Sequence, residues 1–142
     1  MIQLENDRIK NFVLGGNALI TLESGKTGVY LTYKITQSKN DNNLFFIKSL
    51  RGSDNTKDYV YIGCYFADTK NFVVEKSYRN TDVSGWPKSI RAIRYLFNNL
   101  DDVPYLLHVY HNGKCCRCGR TLTTPESIRK GIGPECEKIG GC

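Results

Sequence analysis

Apolar residues between positions 18 and 76 recur at every second place in short runs, each broken by a cluster of turn-forming residues. Val29, Leu31 and Ile35 alternate with Thr32, Lys34 and Thr36, the pattern of a strand with one face buried. Ala18, Ile20 and Leu22 form a similar row just before it, and Ser24-Gly25-Lys26-Thr27-Gly28 between the two has hairpin-loop composition. Further strands are expected over Leu44 to Leu50, Tyr59 to Phe66 and Phe72 to Lys76, giving a five-stranded antiparallel meander. Within Tyr59 to Phe66 strict alternation would put Val60, Ile62, Cys64 and Phe66 on one face and Tyr59, Tyr61 and Tyr65 on the other, with Cys64 in the core.

The period then changes. Ile90, Ile93, Leu96 and Phe97 recur at helical spacing after Pro87, a residue suited to a helix start, while Lys88, Arg91 and Arg94 fall on other faces. One amphipathic helix near 87–99 is predicted to pack on the sheet, ended by Asn98-Asn99-Leu100-Asp101-Asp102. Tyr105 to Tyr110 has the character of one more strand leading into a cysteine cluster. The expectation is an α+β protein: a five- to six-stranded antiparallel sheet with one helix over 1–104, followed by a small zinc-binding knuckle over 105–142.

A chain of 142 residues accommodates one core and a small satellite, and 40% hydrophobic with 24% charged residues is ordinary for a folded chain. No apolar run approaches the roughly 20 residues needed to span a bilayer, and the opening Met1-Ile2-Gln3-Leu4-Glu5-Asn6-Asp7 lacks a basic region followed by an apolar one. A cytoplasmic protein is expected. Disulfides are rare in that compartment, so clustered cysteines point to metal or redox chemistry, and five of the six cysteines lie between 115 and 142.

Cys115 and Cys118 form a C-x2-C pair, and Gly119 permits the positive φ of the tight turn that lets two thiolates meet one ion. Cys136 follows Pro134, which suits the first turn of a helix, so its thiolate would lie near unpaired N–H groups. A structural zinc ion wants a fourth ligand. His111 stands first among the candidates, because Asn112-Gly113 could fold its imidazole back toward the pair, ahead of Cys142, His108 and Cys116. Between the halves, Thr123 or Thr124 would cap a short helix that Gly131 ends in the left-handed conformation. Redox chemistry at the C-x2-C pair would call for a thioredoxin-like βαβ context, which the all-β pattern upstream does not supply.

The run Cys115-Cys116-Arg117-Cys118-Gly119-Arg120-Thr121-Leu122-Thr123-Thr124-Pro125-Glu126-Ser127-Ile128, continuing to Gly131-Ile132-Gly133-Pro134-Glu135-Cys136, resembles a phage-associated family of unknown function with a C-terminal knuckle of this form. The resemblance covers about 30 residues, with fainter similarity at Asp54-Asn55, Asp58-Tyr59 and Gly63. Members of that family often carry a histidine just before the first cysteine, which implies the same role for His111.

A net charge of +6 favours polyanionic partners, and the excess of cations rises from Trp86 onward. Gly25-Lys26-Thr27 is not a phosphate-binding loop, since the first glycine of that motif would fall at Ile20. Glu135 or Glu137 beside a zinc-bound water is the one hydrolytic arrangement the residues allow, and no other nucleophile and base assemble from two histidines. The expected function is therefore non-enzymatic: a zinc-binding phage protein that contacts nucleic acid through Lys88, Arg91, Arg94, Lys114, Arg117 and Arg120. The alternative is a protein-binding inhibitor or modulator of a host machine, such as a CRISPR or other anti-phage defence effector. Tyr30, Tyr59, Tyr61 and Tyr65, if exposed together near Lys34, would form a base-stacking surface.

Overall fold

The computed structural model describes residues 1–54 and 56–139, whose backbone forms a seven-stranded antiparallel sheet with short helices. The expected meander is β2 (Asn17–Ser24), β3 (Tyr30–Gln37), β4 (Leu44–Leu50), β5 (Tyr59–Phe66) and β6 (Asn71–Val74). β7 (Leu107–His111) joins the free edge of β2, and β1 (Ile2–Gln3) pairs with β7, giving the order β1-β7-β2-β3-β4-β5-β6. β1 and the helix α1 (Asn6–Val13) exceed the expectation of six strands and one major helix. The position-104 division falls just before β7, which is hydrogen-bonded on both sides and adds Leu107, Val109 and His111 to the shared core.

One face of the sheet buries Ala18, Ile20, Leu22, Tyr33, Ile35, Phe45, Ile47, Val74 and Val109. α2 (Lys88–Asn98) lays Ile90, Ile93, Leu96 and Phe97 on it, the four positions its spacing picks out, and each such side chain contributes about 1.5–3 kcal/mol on full burial. The Tyr33 hydroxyl donates to the Ser89 carbonyl, and the Tyr65 ring meets Phe97 at 4.5 Å between centroids. α1 covers the β7 end of the same face with Ile9, Phe12 and Val13. Among the described residues no helix covers the other face, which carries Leu19, Thr21, Thr32, Lys34, Phe46, Lys48, Tyr61 and Tyr110.

The alternation expected for β5 fails at its centre. Ile47 pairs with Gly63 but Lys48 with Tyr61, so Ile62 is an extra residue, a β-bulge. The slip reverses the faces beyond it: Tyr65 turns into the core, and Cys64 stands half-buried on the outer face opposite Phe46. Glycine is required at 63, where a Cβ would lie 2.7 Å from the Val73 carbonyl of β6. No described helix is long and apolar enough to cross a membrane.

Candidate metal centre

The knuckle begins where β7 ends. Gly113, at φ +77°, turns the chain, and Leu122 N–H donates to the Gly113 carbonyl at 2.7 Å while Cys115 N–H donates to Arg120 at 2.9 Å. This small hairpin holds the C-x2-C pair at its tip, and Gly119, at φ +78°, completes the turn by donating to the Cys115 carbonyl at 3.0 Å. The Thr124 hydroxyl accepts from Ser127 N–H at 3.2 Å, so Thr124 caps α3 (Pro125–Lys130) with Pro125 at its first position. Of the two registers open in the sequence, this one holds. Gly131 ends α3 at φ +77°, and Pro134 opens α4 (Pro134–Lys138), whose first turns carry Cys136 back to the pair.

The Sγ atoms of Cys115, Cys118 and Cys136 all lie within 4.8 Å of one another. Three thiolates on one tetrahedral zinc ion stand about 3.8 Å apart, so a contraction of about an ångström closes this group on an ion. Cys115 and Cys136 are buried and Cys118 is exposed. Arg117 N–H and Gly133 N–H reach the Cys115 sulfur at 3.5 and 3.4 Å. Burial pushes the Cys115 thiol up, but the N–H groups of Cys118, Gly133 and Arg117 outweigh it and bring the thiol down to about 7. Burial, then the neighbouring Cys118 and Cys115 sulfurs, push Cys136 up to about 11. The donor set, sulfur only and preformed by backbone N–H groups, suits zinc or another thiophilic ion. A cavity of about 420 Å³ opens beside the sulfurs, bordered by Arg120, Thr124 and Glu135.

His111 is not brought into this group. It occupies the inward parity of β7 with Leu107 and Val109, is 1% exposed, and packs its ring 5.2 Å from that of Phe12. Its Nδ1 accepts the Gly113 N–H at 3.0 Å, so the Asn112-Gly113 turn is capped by the imidazole instead of folding it toward the sulfurs. Nε2 is buried and makes no close hydrogen bond among the described residues; burial lowers the ring's pKa, and the Ile128 backbone beside the imidazole opposes that shift. His108 faces outward with Nδ1 3.2 Å from Glu23. Cys116 is buried in the core, and its backbone links the knuckle to both sides, N–H to Gly131 at 2.9 Å and carbonyl from Asn17 N–H at 2.7 Å. Cys142 lies outside the described residues. Glu137 is paired with Lys130 at 3.2 Å.

The six basic residues form two groups. Lys114, Arg117 and Arg120 are exposed around the knuckle. On α2, Lys88 is exposed, the Arg91 side chain donates to the Trp86 carbonyl at 3.1 Å, and the Arg94 guanidinium lies 5.9 Å from the Trp86 ring centroid. Among the described residues none of the six joins an ion pair. Sequence reasoning missed the residues that seat the knuckle: the Arg8 guanidinium of α1 donates to the Lys130 carbonyl at 3.1 Å, and the Phe12 ring lies against Gly131. The apolar spacing Ile9, Phe12 and Val13 was the signal for that helix.

Residues 106–139 match the model of a family of unknown function, DUF6011, which spans the knuckle and the strand leading into it. No curated protein and no solved structure matches the chain.

Proposed function

We propose that this chain is a non-enzymatic nucleic-acid-binding protein whose C-terminal knuckle is organised by a zinc ion on Cys115, Cys118 and Cys136. The observation that carries the proposal is the convergence of these sulfurs within 4.8 Å beneath exposed Lys114, Arg117 and Arg120, cations with no carboxylate partner among the described residues. The ion's contribution is structural: it fixes a loop too small to hold its shape by apolar burial, and so sets the spacing of the three cations. Phosphate oxygens are the natural complement of such a group. The resemblance of the knuckle motif is the support for a phage origin and a cytoplasmic setting.

Two measurements test the proposal. Elemental analysis of reduced protein should find about one zinc ion per chain, and Cys118→Ser should lower bound metal and melting temperature together. Binding of the zinc-loaded protein to DNA or RNA should weaken as salt rises, and absence of binding at low salt would overturn the nucleic-acid reading.

A second reading, a modulator of a host protein, is favoured by a different surface. Tyr105 is 79% exposed beside exposed Tyr95 and Leu106, around a groove of about 390 Å³. Clustered exposed apolar side chains mark protein contacts. A stoichiometric partner that survives nuclease treatment and is lost on Tyr105→Glu would favour this reading over the first.

A further inference from the structure

Leu19, Lys34, Lys48 and Tyr61 are successive cross-strand partners on β2, β3, β4 and β5, and so form one row across the uncovered face of the sheet. Two lysines directly opposite each other repel. Neither has an ion-pair partner among the described residues, and Lys34 Nζ instead lies 4.8 Å from the centroid of the Tyr59 ring. Aromatic rings flank the pair: Tyr61 is 41% exposed with Phe46 6.5 Å away, and Tyr30, toward the far end of β3, is 53% exposed. Glu23 on the same face is already engaged, accepting from Tyr110 at 2.7 Å, facing His108 at 3.2 Å and interacting with the Tyr30 hydroxyl, which leaves the Tyr30 ring face free. A cavity of about 230 Å³ brings Lys34, Asn17 and Leu19 together with Lys114 and Gly119, so this face runs directly into the knuckle.

We propose that the uncovered sheet face binds single-stranded nucleic acid, its bases stacking on Tyr61 and Tyr30 and its phosphates held by Lys34 and Lys48, with the strand continuing to Lys114. Exposed rings interleaved with unpaired cations match a ligand that alternates flat apolar faces with negative charge. A duplex hides its base faces in the stack, and an acidic peptide would satisfy the lysines while leaving the rings without a flat partner. The inference deepens the nucleic-acid reading of the knuckle and rests on it for the class of ligand.

The test is fluorescence anisotropy of the zinc-loaded full chain with a labelled 20-nucleotide single strand, as DNA and as RNA, and with the duplex of the same sequence, across a salt series. The single strand should bind at least about tenfold tighter than the duplex. Tyr61→Ala should weaken it about tenfold with the salt slope unchanged, Tyr61→Phe should stay within about twofold because the ring is kept, and Lys48→Ala should reduce the slope by about one phosphate contact. Equal binding of duplex and single strand, indifferent to Tyr61→Ala but lost when Lys114, Arg117 and Arg120 are all alanine, would overturn the platform and leave the knuckle reading standing. Absence of binding to every probe would overturn both.

Discussion

Replacing His111 with alanine distinguishes a metal ligand from a core residue, because the two roles predict opposite responses of bound zinc. The imidazole is 1% exposed and packed on Phe12, so its removal leaves a cavity costing about 3 kcal/mol by analogy with other aromatic truncations. The Gly113 N–H loses its acceptor in a buried turn, a further penalty of about 1–3 kcal/mol. Against this, the variant no longer buries Nε2, which makes no close hydrogen bond among the described residues and has only the Ile128 backbone beside the ring, and this returns about 1 kcal/mol. The net expectation is a loss of about 3 kcal/mol, or about 10 °C in melting temperature for a chain of this size. His111→Asn should recover about 1 kcal/mol of it, since a side-chain oxygen can still accept from Gly113 N–H. Calorimetry and elemental analysis on the same reduced samples make the test: both variants should melt lower and keep their full complement of zinc at 25 °C. If either folded variant loses its zinc while Cys142→Ser keeps it, the imidazole is a ligand and its placement against Phe12 is refuted.

Other consequences follow from the same geometry. Gly131→Ala would force a left-handed backbone on a residue with a Cβ and set that atom 2.4 Å from the Phe12 ring, so a loss of about 3 kcal/mol is expected in urea unfolding. Thr124→Ala should cost about 1 kcal/mol through loss of the α3 cap, with Thr124→Ser restoring most of it in the same assay. Asp101 lies between Lys10 and Lys70, whose ammonium groups hold its carboxyl down at about 2 against an ordinary 3.8. A carboxyl with a depressed folded pKa contributes stability that is fully present above 3.8 and is lost as pH falls through about 2. Asp101→Asn should therefore melt below the parent chain near pH 6 and converge with it near pH 2, and a gap unchanged with pH would refute the assignment.

The sheet was legible wherever burial is one-sided and the chain has no irregularity. The period-two rows of β2 and β3, the strand expected at β4, the helical spacing of α2 and the Thr124, Pro125 and Gly131 signals each report a local requirement, and the structure meets them in place except at Val29, which precedes β3 and is 37% exposed. β5 could not be read through, because a bulge belongs to the pairing of two strands: Ile47 meets Gly63 and Lys48 meets Tyr61, and the residue left over between them has no mark in the period of β5 alone. β1 is only two residues long, and its pairing with the end of β7 leaves no periodicity to detect. α1 did leave a signal in Ile9, Phe12 and Val13, but the expectation of one helix passed over it.

At the site, the cysteines announced themselves by spacing, while His111 shows how strand parity can outrank proximity in sequence. The alternation that sends His108 outward sends Leu107, Val109 and His111 inward, so a residue four positions from Cys115 is committed to the core before the chain turns. Parity also put Lys34 and Lys48 on the outer face, yet it says nothing of which residue stands across the next strand. That pairing depends on the length of the β3–β4 connection, and Tyr61 joins the row only because the bulge keeps it opposite Lys48. A ligand surface assembled from cross-strand neighbours is thus encoded in turns and bulges as much as in the residues that touch the ligand. Shifting register by a two-residue deletion between Ser38 and Asn43, which keeps the faces of β4, should then weaken single-strand binding while leaving the cysteines' zinc in place, since among the described residues the hydrogen bonds of Cys115 run to Arg117, Gly119, Arg120 and Gly133 and not to β4.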